Sequence, residues 1–278
     1  MSQTIRERAG ILLRDNDPSV KADGVRALYD EAMAAADVTV PRTPGSIEPV
    51  PDPGRPERPT LVAPRDVPKR GPATPEGRAS MAHSFAHIEF NAMNIGLDAC
   101  YRFDAMPADF YRDWLSVARD EAKHFELLNA YLRERGYEYG SFPAHASLWE
   151  TVHDTEHDVM VRMALIPRVL EARGLDVTPG IQRKLAQYDD QPLIDILDVI
   201  YNEEIQHVEI GTRWFRFACE QRGVDPRQTF RELLQHYMAG RIRGPYDEFG
   251  RKAAGFTDGE MQDLKDMEAE TLAQLEGK

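Results

Sequence analysis

Asp120-Glu121-Ala122-Lys123-His124 and Glu203-Glu204-Ile205-Gln206-His207 carry one spelling, Glu-x-x-His, and each is preceded by a further glutamate, Glu89 and Glu171, at 32 and 33 residues. Residues three apart on a helix share a face, so each copy offers a carboxylate oxygen and an imidazole nitrogen to one metal. One such segment arises easily by chance. Four glutamates and two histidines in this order form the ligand set of a dinuclear carboxylate bundle, in which two helices give one Glu each and two give Glu-x-x-His. The ordinary alternative is a pair of buried Glu-His hydrogen bonds.

The residues around the motifs favour the metal. Phe110, Trp114, Val117, Glu121, His124, Leu128 and Tyr131 follow alternating steps of four and three, the spacing of a buried bundle stripe. Leu193, Leu197, Ile200, Glu204, His207, Gly211, Trp214 and Ala218 repeat it. Both ligand pairs therefore fall inside an apolar seam. Buried, ionised carboxylates are costly and raise one another's pKa unless cations balance them. Two divalent ions supply that balance for Glu89, Glu121, Glu171 and Glu204. Oxygen and imidazole donors suit iron, manganese or a mixed pair, with two Fe ions the first expectation.

Chain lengths fit an all-α, four-helix bundle. From Glu89 about 15 residues lead to a break near 104–108 and about 13 lead back to Glu121, so both legs are roughly 20 Å at ~1.5 Å per residue. Helices are expected over about 79–103, 108–135, 147–173 and 192–222. The third should stop at Gly174, with a short helix restarting at Thr178-Pro179 and a turn at 189–191. Pro167, one turn before Glu171, removes a helical hydrogen bond and predicts a kink beside the site.

Around this core the chain divides into 1–80, two short helices and a Pro-rich wrapping arm; 81–222, the metal bundle; and 223–278, a helical extension. The arm holds 11 of 19 prolines between 38 and 75, a density that excludes regular helix and favours an extended path. Leu61, Val62 and Val67 suggest that it packs on the bundle. The formal net charge of −13 argues against nucleic acid or an anionic membrane as the main partner. No apolar run approaches a membrane span and no secretory hydrophobic segment opens the sequence, so a cytoplasmic protein is expected. Cys100 and Cys219 form no metal or redox motif and read as small buried side chains.

Other polar residues near the motifs take lesser roles. His83 and His87 are expected to be structural, with His83 a possible channel residue. His153, His157, Met160, Ala164, Pro167 and Glu171 share a stripe, but His157 is too far from Glu171 to ligate with it. Asp120 and Glu203 precede the metal histidines by four residues and are placed to orient them, Asp120 the better of the two. Tyr201 lies one turn before Glu204; it and Trp214 are core aromatics that can also donate electrons. Gly211 leaves room for oxygen or substrate. Arg241, Arg243, Arg251 and Lys252 read as a solvated basic surface.

The strings Pro-Gly-Arg-Pro-Glu-Arg-Pro at 53–59, Ser-Phe-Ala-His-Ile-Glu at 84–89, Asp-Glu-Ala-Lys-His at 120–124, Pro-Arg-Val-Leu-Glu-Ala-Arg-Gly-Leu-Asp at 167–176 and Glu-Glu-Ile-Gln-His at 203–207 resemble the ferritin-like family catalogued as domain of unknown function 455. More distantly, the ligand pattern is similar to tRNA-hydroxylating di-iron enzymes and rubrerythrins. The resemblance implies a ferritin-like bundle and these ligands without a reaction. The expected function is a di-iron oxidoreductase that uses dioxygen, with an external electron donor, to hydroxylate, desaturate or N-oxygenate a small molecule. The alternatives are iron oxidation, storage or peroxide reduction, and a structural metal in an interaction protein; a homodimer is compatible with all three.

Overall fold

A computed structural model describes residues 4–38, 47–238 and 241–276, with side chains through residue 273. The part of the Pro-rich arm at 39–46 lies outside the described residues. Among the described residues the protein is all-α, with an isolated bridge between Leu61 and Ala144 and no strand. Two compact units are recognised: Met1–Asp154 with Leu185–Ile196, and Thr155–Lys184 with Leu197–Lys278.

In the first unit, Thr4 forms a capping box with Glu7 at the start of α1 (Ile5–Leu13), and Asp17 caps α2 (Pro18–Ala34), whose first residue is proline. Both arrangements satisfy orphan helix N–H groups. Thr74 and Pro75 do the same for α3 (Pro75–Arg102), so this helix opens several residues before the expected start near Ala79. A short connection leads into α4 (Ala108–Glu134), which ends at Gly136 with φ +78°. That left-handed conformation suits glycine and closes the helix sharply. A five-residue link between long, mutually packed helices makes α3 and α4 an antiparallel hairpin. The stripe from Phe110 to Tyr131 is buried along its whole length.

The arm from residue 47 to 74 follows an extended path over this unit. Val50, Pro53 and Pro59 are buried, whereas Leu61, Val62 and Val67 are only half-buried. Backbone groups also anchor it: Gly54 N donates to Leu13 O at 2.8 Å, Ala144 N to Thr60 O at 3.1 Å, and Val62 N to Ala144 O at 2.9 Å. Trp149 Nε1 adds a bond to Val50 O at 3.3 Å. Lys21 is fully buried beneath the arm, its Nζ donating to Gly54 O and Asn94 Oδ1 at 2.6 Å each and to Leu13 O at 3.2 Å. One ammonium thus ties α2, α3 and the arm together.

The expected single third helix from 147 to 173 is not present. α5 (Ser147–Asp154) ends in a turn, and Asp158 caps a new helix, α6 (Val159–Leu165), by accepting from Met160 N at 2.8 Å. His153 and His157 are consequently exposed and the inward stripe begins only beyond them. Pro167 lies inside a six-residue π-helical turn, Ile166–Glu171. A wider turn is one way for a helix to continue past a residue that lacks an N–H and crowds the preceding carbonyl.

The second expectation that fails is the stop at Gly174. α7 (Ala172–Leu185) runs through both Gly174 and Pro179, with Ala172, Leu175 and Leu185 fully buried. Burial of that face outweighs the weak local preference for a break. The turn after it appears where expected, with Asp189 left-handed at φ +53°. Asp190 there accepts from Tyr131 Oη at 2.6 Å and Arg78 Nε at 2.8 Å. α8 (Gln191–Arg222) follows, then α9 (Pro226–Tyr237), α10 (Glu248–Ala253) and α11 (Asp258–Glu276). Leu193, Leu197, Ile200, Glu204, His207, Gly211, Trp214 and Ala218 of α8 are all buried, as their spacing requires. Cys100 and Cys219 are free and buried. Among the described residues no helix is long and apolar enough to cross a membrane.

Candidate metal centre

Glu89 sits 13 residues before the end of α3, and Glu121 13 residues after the start of α4, so the hairpin brings them level. His124, one turn further along α4, joins them. Its Nδ1 is 3.4 Å from Glu89 Oε2 and 3.4 Å from Glu121 Oε2. One ligand atom from each of the three lies within 4.8 Å of the others, a spacing that a single cation can bridge. Glu121 and His124 have no solvent exposure, and Glu89 is 5% exposed.

The Glu89 carboxylate carries the cost of this crowding. Burial, and then the neighbouring Glu121 carboxylate, push the Glu89 carboxyl well above the usual carboxylate range. Glu89 Oε2 is buried and has no hydrogen-bond partner among the described residues. Two acids and an imidazole whose nitrogen stops 3.4 Å short of each carboxylate make a poor hydrogen-bonded pair. They make a good donor set for a divalent ion with a preference for oxygen and imidazole.

The second unit holds the other motif. His207 Nδ1 is 3.5 Å from Glu204 Oε1, both side chains are buried, and Glu204 Oε2 also lacks a hydrogen-bond partner among the described residues. Glu171 closes the π-helical turn, with both carboxylate oxygens shielded from solvent. The ring of Pro167, four residues before it, fills the space that Gly211 leaves on α8: a Cβ at Gly211 would lie 2.2 Å from Pro167 Cβ and Cγ. The room expected at Gly211 for oxygen or substrate is therefore occupied, and its role is close helix packing.

The other sequence-derived residues have identifiable partners. His83 is a core histidine: Gly140 N donates to its Nε2 at 2.9 Å, Tyr139 and Phe142 flank its ring, and burial lowers its pKa to about 4. His87 contacts Tyr139 Oη at 2.8 Å and His145 O at 3.1 Å. Asp120 accepts from Arg119 Nη2 at 2.9 Å, and Arg119 stacks over Tyr29 at 4.2 Å. Tyr201 Oη donates to Asp247, and burial together with that carboxylate raises its pKa. Trp214 packs edge-to-face on Phe217 at 5.3 Å, and Glu203 is half-buried.

Sequence reasoning missed the ionic interior of the second unit. Arg168 is fully buried, pairs with Glu260, and lies 4.8, 4.0 and 4.6 Å from the rings of Phe215, Phe230 and Phe256. Arg251, expected on a solvated surface, is 4% exposed and grips Asp176 through Nε at 2.8 Å and Nη2 at 2.7 Å. No periodicity announces either group, since each partner lies more than seventy residues away.

The sequence profile of the family described as "Protein of unknown function (DUF455)" matches residues 14–262. The chain belongs to that family. An uncharacterized protein of Haemophilus influenzae (strain ATCC 51907 / DSM 11121 / KW20 / Rd) is 49% identical to this DUF455 chain over 220 residues, covering 77% of this chain and 76% of its own. No solved structure matches the chain. Within the DUF455 match fall all six ligand candidates, Glu89, Glu121, His124, Glu171, Glu204 and His207.

Proposed function

We propose that this DUF455 protein is a dinuclear metal oxidoreductase, with two iron ions in a ferritin-like carboxylate centre that uses dioxygen to hydroxylate, desaturate or N-oxygenate a small molecule in the cytoplasm. The observation that carries the reading is the buried Glu89–Glu121–His124 cluster, with an uncompensated carboxylate, spelled a second time as Glu171–Glu204–His207. When bound, ferrous iron supplies the electrons and open coordination positions that dioxygen reduction needs.

The chain's own residues set the conditions for that chemistry. Glu89, Glu121 and His124 would serve as metal ligands, and so would Glu171, Glu204 and His207. Burial and the Glu121 carboxylate favour the protonated form of Glu89, and metal uptake favours its ionised form, so binding is expected to release protons. The apolar seams above and below the ligands, Trp114, Val117 and Leu128 on α4 and Leu197, Ile200 and Trp214 on α8, exclude bulk water from the carboxylates. A dry environment keeps an oxidising centre from losing its reactivity to solvent.

The cavity of about 300 Å³ lined by the arm, His87, Phe90, Asn91 and Trp149 is not the natural seat for the substrate of this centre. His87 and Asn91 each lie two residues from Glu89 and so point from α3 nearly opposite to it. The test is direct. Protein loaded anaerobically with ferrous iron should hold two irons per chain and consume dioxygen, and Glu121→Ala and Glu204→Ala should each lose metal and oxygen uptake. Full metal retention in both variants would end this reading, and metal without oxygen consumption would leave a structural role.

A further inference from the structure

In the second unit a cavity of about 250 Å³ is lined by five arginines, Arg168, Arg173, Arg241, Arg243 and Arg251, against one carboxylate, Asp176. In a chain of formal charge −13 this concentration of guanidinium is against the general trend. Two of the five are committed to carboxylates, Arg251 to Asp176 and Arg168 to Glu260 through Nη2. Arg173 spends its donors on the carbonyls of Arg243, Gly244 and Pro245 at 2.9 to 3.3 Å, with Asp176 Oδ2 a further 3.7 Å contact. This frames the loop that carries the remaining two. Arg241 reaches only the Tyr237 carbonyl, and Arg243 makes no side-chain hydrogen bond or ion pair among the described residues.

Arg168 is fully buried behind this wall, its guanidinium packed against Phe215, Phe230 and Phe256, which do not line the cavity. Apart from Tyr246, the rest of the wall is apolar, with Val169, Leu170, Met238, Ile242 and Leu264. Convergent guanidiniums on an otherwise apolar wall suit a ligand with an oxyanion head and a carbon body.

The geometry points to a binding site for a small organic oxyanion, a phosphate ester or a carboxylate, held at its charged end by Arg241 and Arg243. The volume admits a metabolite-sized molecule. Arg168, Val169 and Leu170 belong to the same π-helical turn that ends in Glu171. A ligand seated here rests on the backbone that carries one of the six metal-ligand candidates. The binding claim stands whether or not a metal is held.

The test uses full-length, metal-stripped protein, so that its result is independent of the metal reading. Inorganic phosphate and succinate are titrated separately by calorimetry at constant ionic strength, with chloride as the control, against wild type and Arg241→Ala/Arg243→Ala. Both altered side chains are exposed, so the variant should fold, and circular dichroism checks that it does. Saturable binding of phosphate or succinate that weakens at least about tenfold in the variant, the loss of roughly one charge-assisted contact, supports the site. Preference between the two anions assigns the head group. Absence of saturable binding to both, or binding equal in wild type and variant, overturns the proposal.

Discussion

Gly211 on α8 lies flush against the ring of Pro167 in the π-helical turn, so closely that a methyl group at 211 would sit 2.2 Å from two of the ring carbons. Neither contact atom belongs to a flexible chain end. The proline that opens the helix and the glycine that receives it form one joint, four residues from Glu171.

Gly211→Ala must therefore push the turn and α8 apart. Overpacking of this kind costs about 1–3 kcal/mol, against the small gain that alanine brings to a helix interior. Urea unfolding of the two proteins measures the balance. A variant as stable as wild type would show that the joint yields freely.

Lys21 supplies a pH-dependent test of the first unit. Burial lowers its pKa from 10.5 to about 7 in the folded protein, with Asp15 and Asp52 opposing the shift. Between those values the unfolded chain binds the proton and the folded chain has lost it, so stability should rise as pH climbs from about 7 toward 10.5. The slope approaches at most about 1.4 kcal/mol per pH unit. Lys21→Met should flatten this part of the profile, while losing the bonds to Leu13, Gly54 and Asn94. Equal slopes in wild type and variant would count against a shifted lysine.

His83 separates architecture from chemistry. Replacing it with leucine removes the acceptor for Gly140 N and should destabilise the fold by about 1–3 kcal/mol. Iron stoichiometry should not change, because His83 lies six residues before Glu89 and is held by Tyr139 and Phe142 on a different face. Loss of iron at retained fold would make it part of the metal site instead.

The Asp176–Arg251 pair anchors the C-terminal helices to α7. Asp176→Asn keeps the shape but leaves a 4%-exposed guanidinium without its countercharge. A loss of about 3–5 kcal/mol is expected, the range for breaking one partner of a buried pair. Thermal unfolding reads it, and a loss below about 1 kcal/mol would mean that the pair is solvated in solution.

Much of the site was legible from local pattern. Period-based burial is a property of a single helix: once α4 and α8 form, residues spaced four and three apart must share a face, whatever the rest of the chain does. Hence every member of both seams, ligand candidates included, is buried as the spacing requires. The α3–α4 register follows from equal leg lengths about a short connection. The reading failed on the third helix, where Gly174 and Pro179 are helix breakers by composition and helical in fact.

What the sequence by itself determined was the helical content, the inward faces of α4 and α8 with their buried Glu and His, and the family. What only the tertiary structure decided was which charges enter the interior and what they meet there. Lys21 under the arm, Arg168 among three phenylalanines, Arg251 on Asp176 and Pro167 against Gly211 each join residues far apart in the chain. The strength of a buried charge depends on the low-dielectric surroundings that distant segments assemble around it, and no window of neighbouring residues contains that information.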